Sequence, residues 1–432
     1  MTKAYKSLSA TSGKKLKKRG IDNGDLLKSI PYLSATYPLV TYCLVSYYNF
    51  LIFVKKFMET PFVFGKIASD KNFTDRDKET EKLVQNFTSS VNTILISPRR
   101  WGKSSLVARS AQITKRKNKN TKFCFIDLNN VRTEEEFYRH FATKILIASS
   151  SKTKILIENT RKFLGRFIPN ITISPSPGSE IKLGLNWEEV KKAPDDILDL
   201  AEKIGKANNQ KFVVCIDEFQ NISEFENPAD LQKKLRAHWQ KHDKASYCLY
   251  GSKRHMMMEV FTSPSMPFYK FGDILFLEKI SLNDWVDFIK KRFTETGKKI
   301  SKDEAGMIPL LTDCHPYYVQ QLAQQAWLRT DTECTAAIIT ESFNDLVLQM
   351  SMLFQNLTDG LSKTQLNFLR ALADNVEQLS SQSAIADYQL GTSANVVKIK
   401  KTLVNKEIID IRGNTLTFLD PLYKVWLKEI LQ

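Results

Sequence analysis

The stretch Ile96-Ser-Pro-Arg-Arg-Trp-Gly-Lys-Ser-Ser-Leu-Val107 decides how the chain is read. It comes within one residue of the phosphate-binding pattern G-x-x-x-x-G-K-[ST]. The eight positions are Ser97, Pro98, Arg99, Arg100, Trp101, Gly102, Lys103 and Ser104, so serine stands where the pattern has its first glycine. Such a loop works when a buried strand feeds it and a helix leaves it, because backbone N–H groups and the helix N-terminus then converge on an anion. The apolar run from Thr93 supplies the strand, and the segment from Ser104 supplies the helix. Gly102 lets backbone approach a phosphate, Lys103 brings a point charge to the β/γ oxygens, and the Ser104 hydroxyl can ligate magnesium. Ser97 keeps the strand-to-loop junction small but gives up the freedom of glycine.

Downstream, Val213-Val-Cys-Ile-Asp-Glu-Phe-Gln220 is an apolar strand that ends in two carboxylates. A carboxylate at a strand end can hold magnesium and its waters, and an adjacent one can orient and deprotonate an attacking water. Asp217 fits the first role and Glu218 the second. An isolated Asp-Glu pair reads as solvated surface, but here it follows a strand, a loop and a helix that carry Gly-Lys-Ser.

Apolar runs alternate with amphipathic stretches from Phe62 onward, the pattern of an α/β domain with parallel strands. Helices are expected over 75–87 and 104–114 and from about Thr133, with strands at 122–128, 211–217, 247–251 and 274–278. Residues 115–122 read as a solvated loop, and 171–185 as a β-hairpin insertion. After about residue 280 the strand signal gives way to helices. The last segment has three helical stretches and then a strand pair turning at Arg412-Gly-Asn414, the order of a winged helix.

The chain has 432 residues and a net charge of +16, which points to a polyanionic partner or a membrane surface. Part of that excess is local: residues 1–28 hold eight cations against Asp22 and Asp25. The six cysteines form no C-x-x-C pair, and the five histidines show no H-E-x-x-H spacing. They read as free thiols in a reducing compartment, with no zinc site. Residues 29–54 contain no charge and are followed by Lys55-Lys56. That length can span a bilayer, but Pro31, Pro38 and many hydroxyl residues leave two other readings open, a dispensable extension or an ordinary packed helix.

At this point the chain resembles the archaeal-type ATPases, AAA-like P-loop proteins related to the STAND and origin-recognition ATPases. The resemblance rests on Phe73-Thr-Asp-Arg-Asp-Lys-Glu79 and the two stretches above, with Tyr250-Gly-Ser-Lys253 and Met256-Met-Met-Glu-Val-Phe261. Pro267-Phe-Tyr-Lys-Phe271, Asp313-Cys-His-Pro-Tyr-Tyr318 and Asp420-Pro-Leu-Tyr-Lys-Val-Trp426 complete it. It spans roughly residues 60–430 and implies ATP and Mg²⁺ as ligands. It implies nucleotide contacts along Ser97–Ser105, with Arg76 near the adenine. Ser252 would be the polar sensor of the γ-phosphate or attacking water, and Pro316 would belong to a G-x-P motif reporting nucleotide state to a lid. Cys314 replaces the glycine of that motif. Arg99 and Arg100 can contact phosphate, stack on a base or reach a neighbouring subunit, and Arg254 is a weak candidate for an arginine finger.

The expected architecture is α/β: a basic and apolar extension (1–57), a P-loop parallel-sheet ATPase domain of AAA/ASCE type (58–279, with its hairpin insertion at about 168–187), a helical lid (280–355) and a winged helix (356–432). The third helix of the winged helix carries Lys398, Lys400 and Lys401, and the wing carries Arg412. These read as a duplex-DNA contact or as the solvated face of a protein-contact module. The expected activity is cytoplasmic ATP hydrolysis used as a conformational switch. A nucleotide-dependent binding module with negligible turnover, a membrane-tethered ATPase and a homo-oligomer remain open.

Overall fold

The computed structural model describes residues 60–432 except 69, 150–157, 160–161, 164–171, 176–180, 185–193, 414 and 432. The stretch 29–54 therefore lies outside the described residues. Among the described residues, no helix is long and apolar enough to cross a membrane.

The first half alternates helix and strand. Helix α1 (Asp77–Thr88) carries Asp77 and Glu79 in its first turn, where acids suit the helix dipole. Strand β1 (Thr93–Ile96), α2 (Lys103–Lys117), β2 (Thr121–Asp127) and α3 (Glu134–Ser149) follow. Helix α2 runs through Lys115–Lys117, a correction to the loop expected from residue 115; cations in a last turn face the unpaired carbonyls there. The hairpin is present as antiparallel β3 (Thr172–Pro175) and β4 (Ile181–Gly184). Next come α4 (Pro194–Leu198), α5 (Leu200–Asn208), β5 (Lys211–Asp217), α6 (Pro228–Trp239), β6 (Ala245–Gly251), α7 (Arg254–Thr262) and β7 (Asp273–Phe276).

Five strands form one sheet in the order β2-β5-β6-β1-β7, with every neighbouring pair parallel. Parallel sheets need cover on both faces, and successive residues point to opposite faces. Accordingly Ile94, Ile96, Val214 and Ile216 pack with α3, α5 and α6. Leu95, Val213, Cys215 and Tyr250 pack on the other face with Leu83 and Phe87 of α1 and Leu106 and Val107 of α2. Met257 is fully buried in α7, as expected of a helix core residue.

The second half is helical: α8 (Leu282–Thr294), α9 (Lys302–Leu311), α10 (Pro316–Arg329) and α11 (Ala336–Asp359). Two short strands, β8 (Lys299–Ile300) and β9 (Glu333–Cys334), pair in parallel within this region, a correction to the reading that strands end near residue 280. At two residues each they are too short to leave an alternating pattern. Then follow α12 (Lys363–Ala373), α13 (Gln382–Asp387), α14 (Ser393–Asn405), antiparallel β10 (Ile409–Arg412) and β11 (Thr415–Phe418), and α15 (Pro421–Leu431). Ser281, Ser301, Thr335, Ser362, Ser381 and Thr392 each accept a backbone N–H at a helix start in this half. Caps of this kind contribute about 1 kcal/mol each.

The segment from Pro61 packs where the sequence gave no hint. Phe62 belongs to the core of the helical half, edge-on to Phe288. The buried Arg292 guanidinium donates to the Pro61 carbonyl at 2.6 and 2.8 Å, while the Ala68 N–H donates to the Ser105 hydroxyl at 2.9 Å.

Asn92 and Gly272 pin the outer strand. The Asp273 N–H donates to the Asn92 carbonyl at 2.9 Å, and a Cβ on Gly272 would lie 2.2 Å from that oxygen. We expect Gly272→Ala to lower the unfolding free energy by about 2–3 kcal/mol, because a backbone oxygen cannot rotate away. A denaturant midpoint equal to that of the wild type would show that this contact is not fixed.

Candidate functional site

The phosphate-type loop begins at buried Ser97, which lies outside the left-handed region. Serine at the first position is therefore accommodated without backbone strain. The left-handed residues come later, at Arg100 (φ 62°) and Gly102 (φ 89°), and Gly102 caps α2. The first turn of α2 has no acidic side chain, so its N–H groups are unopposed toward an anion. Lys103 is buried, and its Nζ donates to the Pro98 carbonyl at 3.3 Å. Burial holds its ammonium below the usual lysine value, although Glu218 and Asp217 pull the other way.

The strand-end carboxylates stand beside this lysine. Ser104 Oγ donates to Asp217 Oδ2 at 2.8 Å, and the Glu218 N–H donates to Asp217 Oδ1 at 2.9 Å. Burial pushes the Asp217 carboxyl up to about 6 despite Ser104 and Lys103. Glu218 is held in the left-handed region at φ 51°. Its Oε2 accepts from Ser252 Oγ at 2.8 Å, from the Ser252 N–H at 3.2 Å and from Gln220 Nε2 at 2.6 Å. Burial alone would raise this carboxyl; the Gln220 bond, the Lys103 charge and the two Ser252 bonds bring it below the usual range. Adjacent carboxylates with opposite shifts can divide acid and base tasks. The sequence assigns Gln220 no role, although it stands two residues after Glu218. Its room depends on Gly251, where a Cβ would lie 1.9 Å from Gln220 Oε1.

A cavity of about 570 Å³ opens beside the loop, lined among others by Phe64, Arg76, Arg100, Lys103, Pro316 and Tyr317. Buried Arg76 gives Nη1 to Glu79 Oε1 at 3.0 Å. Its Nη2 is buried with no hydrogen-bond partner, an uncommitted donor at a cavity wall. The Arg100 guanidinium lies 4.4 Å over the Tyr317 ring. Trp101 and Ser105 also line the cavity, but the Ser105 hydroxyl is taken by the Ala68 N–H. Pro316 opens α10 behind Asp313 and Cys314, both left-handed at φ 51° and 53°. Cys314 thus occupies a conformation that suits glycine. His315 beside it is buried, and burial with Arg100 and Lys279 lowers its pKa to about 3, so the ring is neutral.

Three further arginines are already engaged. Arg99 pairs with Glu407 at 3.1 Å and donates to Ser252 Oγ at 3.3 Å. Arg254, the weak finger candidate, donates to Asp410 at 3.1 Å. Arg412, read as a wing contact to DNA phosphates, instead donates to Glu278 at 3.2 Å and Asp410 at 3.3 Å and lies 4.9 Å over Trp101. In this arrangement the wing turns inward, toward an aromatic face and two carboxylates. Lys398 and Lys401 of α14 are exposed, and Lys400 is half-buried.

The residues fit a nucleotide with a hard cation. A hydroxyl and one carboxylate oxygen in contact suit Mg²⁺, which takes few protein ligands and keeps waters and phosphate oxygens. This also accommodates the finding that, among the described residues, no group of three His, Cys, Asp or Glu is arranged to hold a metal.

The family model described as an ATPase domain predominantly from Archaea matches residues 73–322, and a probable winged helix domain matches residues 352–429. No curated protein matches the chain. Among solved structures, the Walker-type ATPase PABY2304 of Pyrococcus abyssi superposes with a TM-score of 0.62 at 19% identity, covering 85% of this chain and 100% of that one. The ORC2 protein of Aeropyrum pernix, in ADPNP-ADP complexes, gives a TM-score of 0.50 at 14% identity over 86% of this chain and 98% of that one. These likenesses show the fold. With a family model spanning more than half of its length, the chain belongs to the ATPase family found predominantly in Archaea and carries a winged helix after the ATPase domain.

Proposed function

We propose that the protein binds ATP with Mg²⁺ in the cavity beside the loop and hydrolyses it, and that nucleotide state acts as a switch on the helical lid and winged helix. The observation that carries this is the contact of Ser104 with Asp217 next to a Glu218 held ionised by Gln220 and Ser252. Lys103 and the loop N–H groups stabilise charge on the transferring phosphoryl group. Ser104 and Asp217 would hold the magnesium, which would supply charge neutralisation to the phosphates. Glu218 orients water and takes its proton, with Ser252 and Gln220 fixing the carboxylate. Arg76 contacts the base side of the nucleotide through its unpartnered Nη2, and Pro316 carries the response into α10. In this reading the ATPase domain spans 58–279, the lid 280–355 and the winged helix 356–432.

A second reading places duplex DNA on α14, favoured by the exposure of Lys398 and Lys401 on the helix that enters the major groove in winged helices. The same helix can face a protein partner instead.

Glu218→Gln is expected to keep ATP binding and lose turnover by about 100-fold or more, whereas Lys103→Ala loses both. Wild-type turnover in Glu218→Gln would remove this residue from the role of base. Proton competition at Asp217 gives a pH signature. With its carboxyl pushed up to about 6, ionisation is complete above that value and lost as pH falls through it. Apparent Mg²⁺ affinity should therefore be about tenfold weaker at about pH 5 than at about pH 7, read as the magnesium concentration for half-maximal turnover. A flat profile would place the metal on another group. For DNA, changing Lys398, Lys400 and Lys401 together to Glu should abolish retention on duplex, and wild-type binding should show a log–log salt slope of about 0.9 per phosphate contact. Unchanged retention would move the contact off α14.

A further inference from the structure

Arg99 is one cation shared between two parts of the molecule. Its Nε donates to Ser252 Oγ at 3.3 Å, and that hydroxyl donates to Glu218 Oε2 at 2.8 Å. Its Nη2 pairs at 3.1 Å with Glu407 Oε2, in the turn between α14 and β10. A phosphate-loop residue thus connects the winged helix to the serine that fixes the candidate base. The wing also meets the same loop through Arg412 over Trp101 at 4.9 Å, and its Asp410 carboxylate is shared by Arg412 and Arg254 of α7.

The Arg99–Glu407 pair is weakly held. The Arg99 side chain is 62% exposed and that of Glu407 24%, and ion pairs this open exchange partners at little cost. A terminal phosphate offers several strong acceptor oxygens to one guanidinium and outcompetes a single carboxylate. The loop position of Arg99, beside Ser252, is where such a phosphate would approach.

We infer that Arg99 is a positioning residue for which Glu407 of the winged helix and the terminal phosphate of a bound nucleoside triphosphate compete, so that triphosphate loosens the wing from the loop and diphosphate does not. This rests on the nucleotide reading above. Because coupling between sites is reciprocal, weakening the Glu407 contact must strengthen triphosphate binding selectively.

The experiment measures binding of a fluorescent non-hydrolysable ATP analogue and of fluorescent ADP to the full chain with magnesium. Wild type, Glu407→Gln, Arg99→Ala and the double variant are compared. Glu407→Gln is expected to raise the triphosphate-over-diphosphate affinity ratio about threefold to fivefold, the scale of an exposed pair. Arg99→Ala should lower the ratio, and the double variant should match Arg99→Ala alone. Arg99→Lys keeps the charge but cannot span Ser252 and Glu407 together. It should shift the ratio in the direction of Glu407→Gln, and it carries the test if Glu407→Gln melts early. Hydrogen exchange over residues 406–412 should rise with the triphosphate analogue and not with ADP. An unchanged ratio in folded Glu407→Gln, or a Glu407→Gln effect that persists without Arg99, overturns the competition. A wild type that binds neither nucleotide overturns the nucleotide reading itself, and this inference with it.

Discussion

The parallel pairing of β6 with both β1 and β5 brings three chain crossings to one edge of the sheet. In register, Ile96 stands opposite Gly251 and Ile216 opposite Leu249. The chain leaving each strand end then delivers the loop from Ser97, the pair Asp217-Glu218 and Ser252 to the same place. Each strand is an apolar run because it is covered on both faces, so the first polar residues fall where the cover ends. Ligand sites at the carboxyl ends of strands in open α/β sheets follow from this geometry.

Strain gathers around that edge. Arg76, Arg100, Glu218, Asp313 and Cys314 all have positive φ without being glycine. Such conformations cost of order 1–3 kcal/mol each and persist where surrounding structure over-determines them. For Glu218 the surroundings are three hydrogen bonds on one oxygen. For Arg76 they are the Glu79 pairing and near-complete burial. The same backbone freedom explains the two departures from the sequence pattern. Ser97 is tolerated because its φ is ordinary, whereas Cys314 bears a conformation better suited to glycine.

The sheet, its helices and the strand-end carboxylates were legible because each rests on a local pattern: apolar runs, amphipathic spacing and charged residues at run ends. The third helix of the winged helix runs over Ser393–Asn405 and carries the three lysines expected of it. What remained hidden depends on contacts between distant residues. Nothing near Pro61 says that its carbonyl will receive Arg292, and nothing near Ser105 says that Ala68 will take its hydroxyl. Arg99 and Arg412 read as free cations because their partners, Glu407 and Glu278, are brought to them only by folding. The short pair β8–β9 was illegible for a different reason, since two residues have no period.

Trp101 carries the consequence least visible in any single contact. Its ring meets His315, at the start of α10, edge-on at 6.5 Å and receives Arg412 of the wing over its face at 4.9 Å. One side chain in the loop is thus a shared bearing surface for two other parts of the fold. Loop, α10 and wing give up independent degrees of freedom at this point, and a small rotation of the indole changes the seating of both neighbours at once. The loop is therefore a junction in the mechanical linkage of the molecule as well as the connection from β1 to α2.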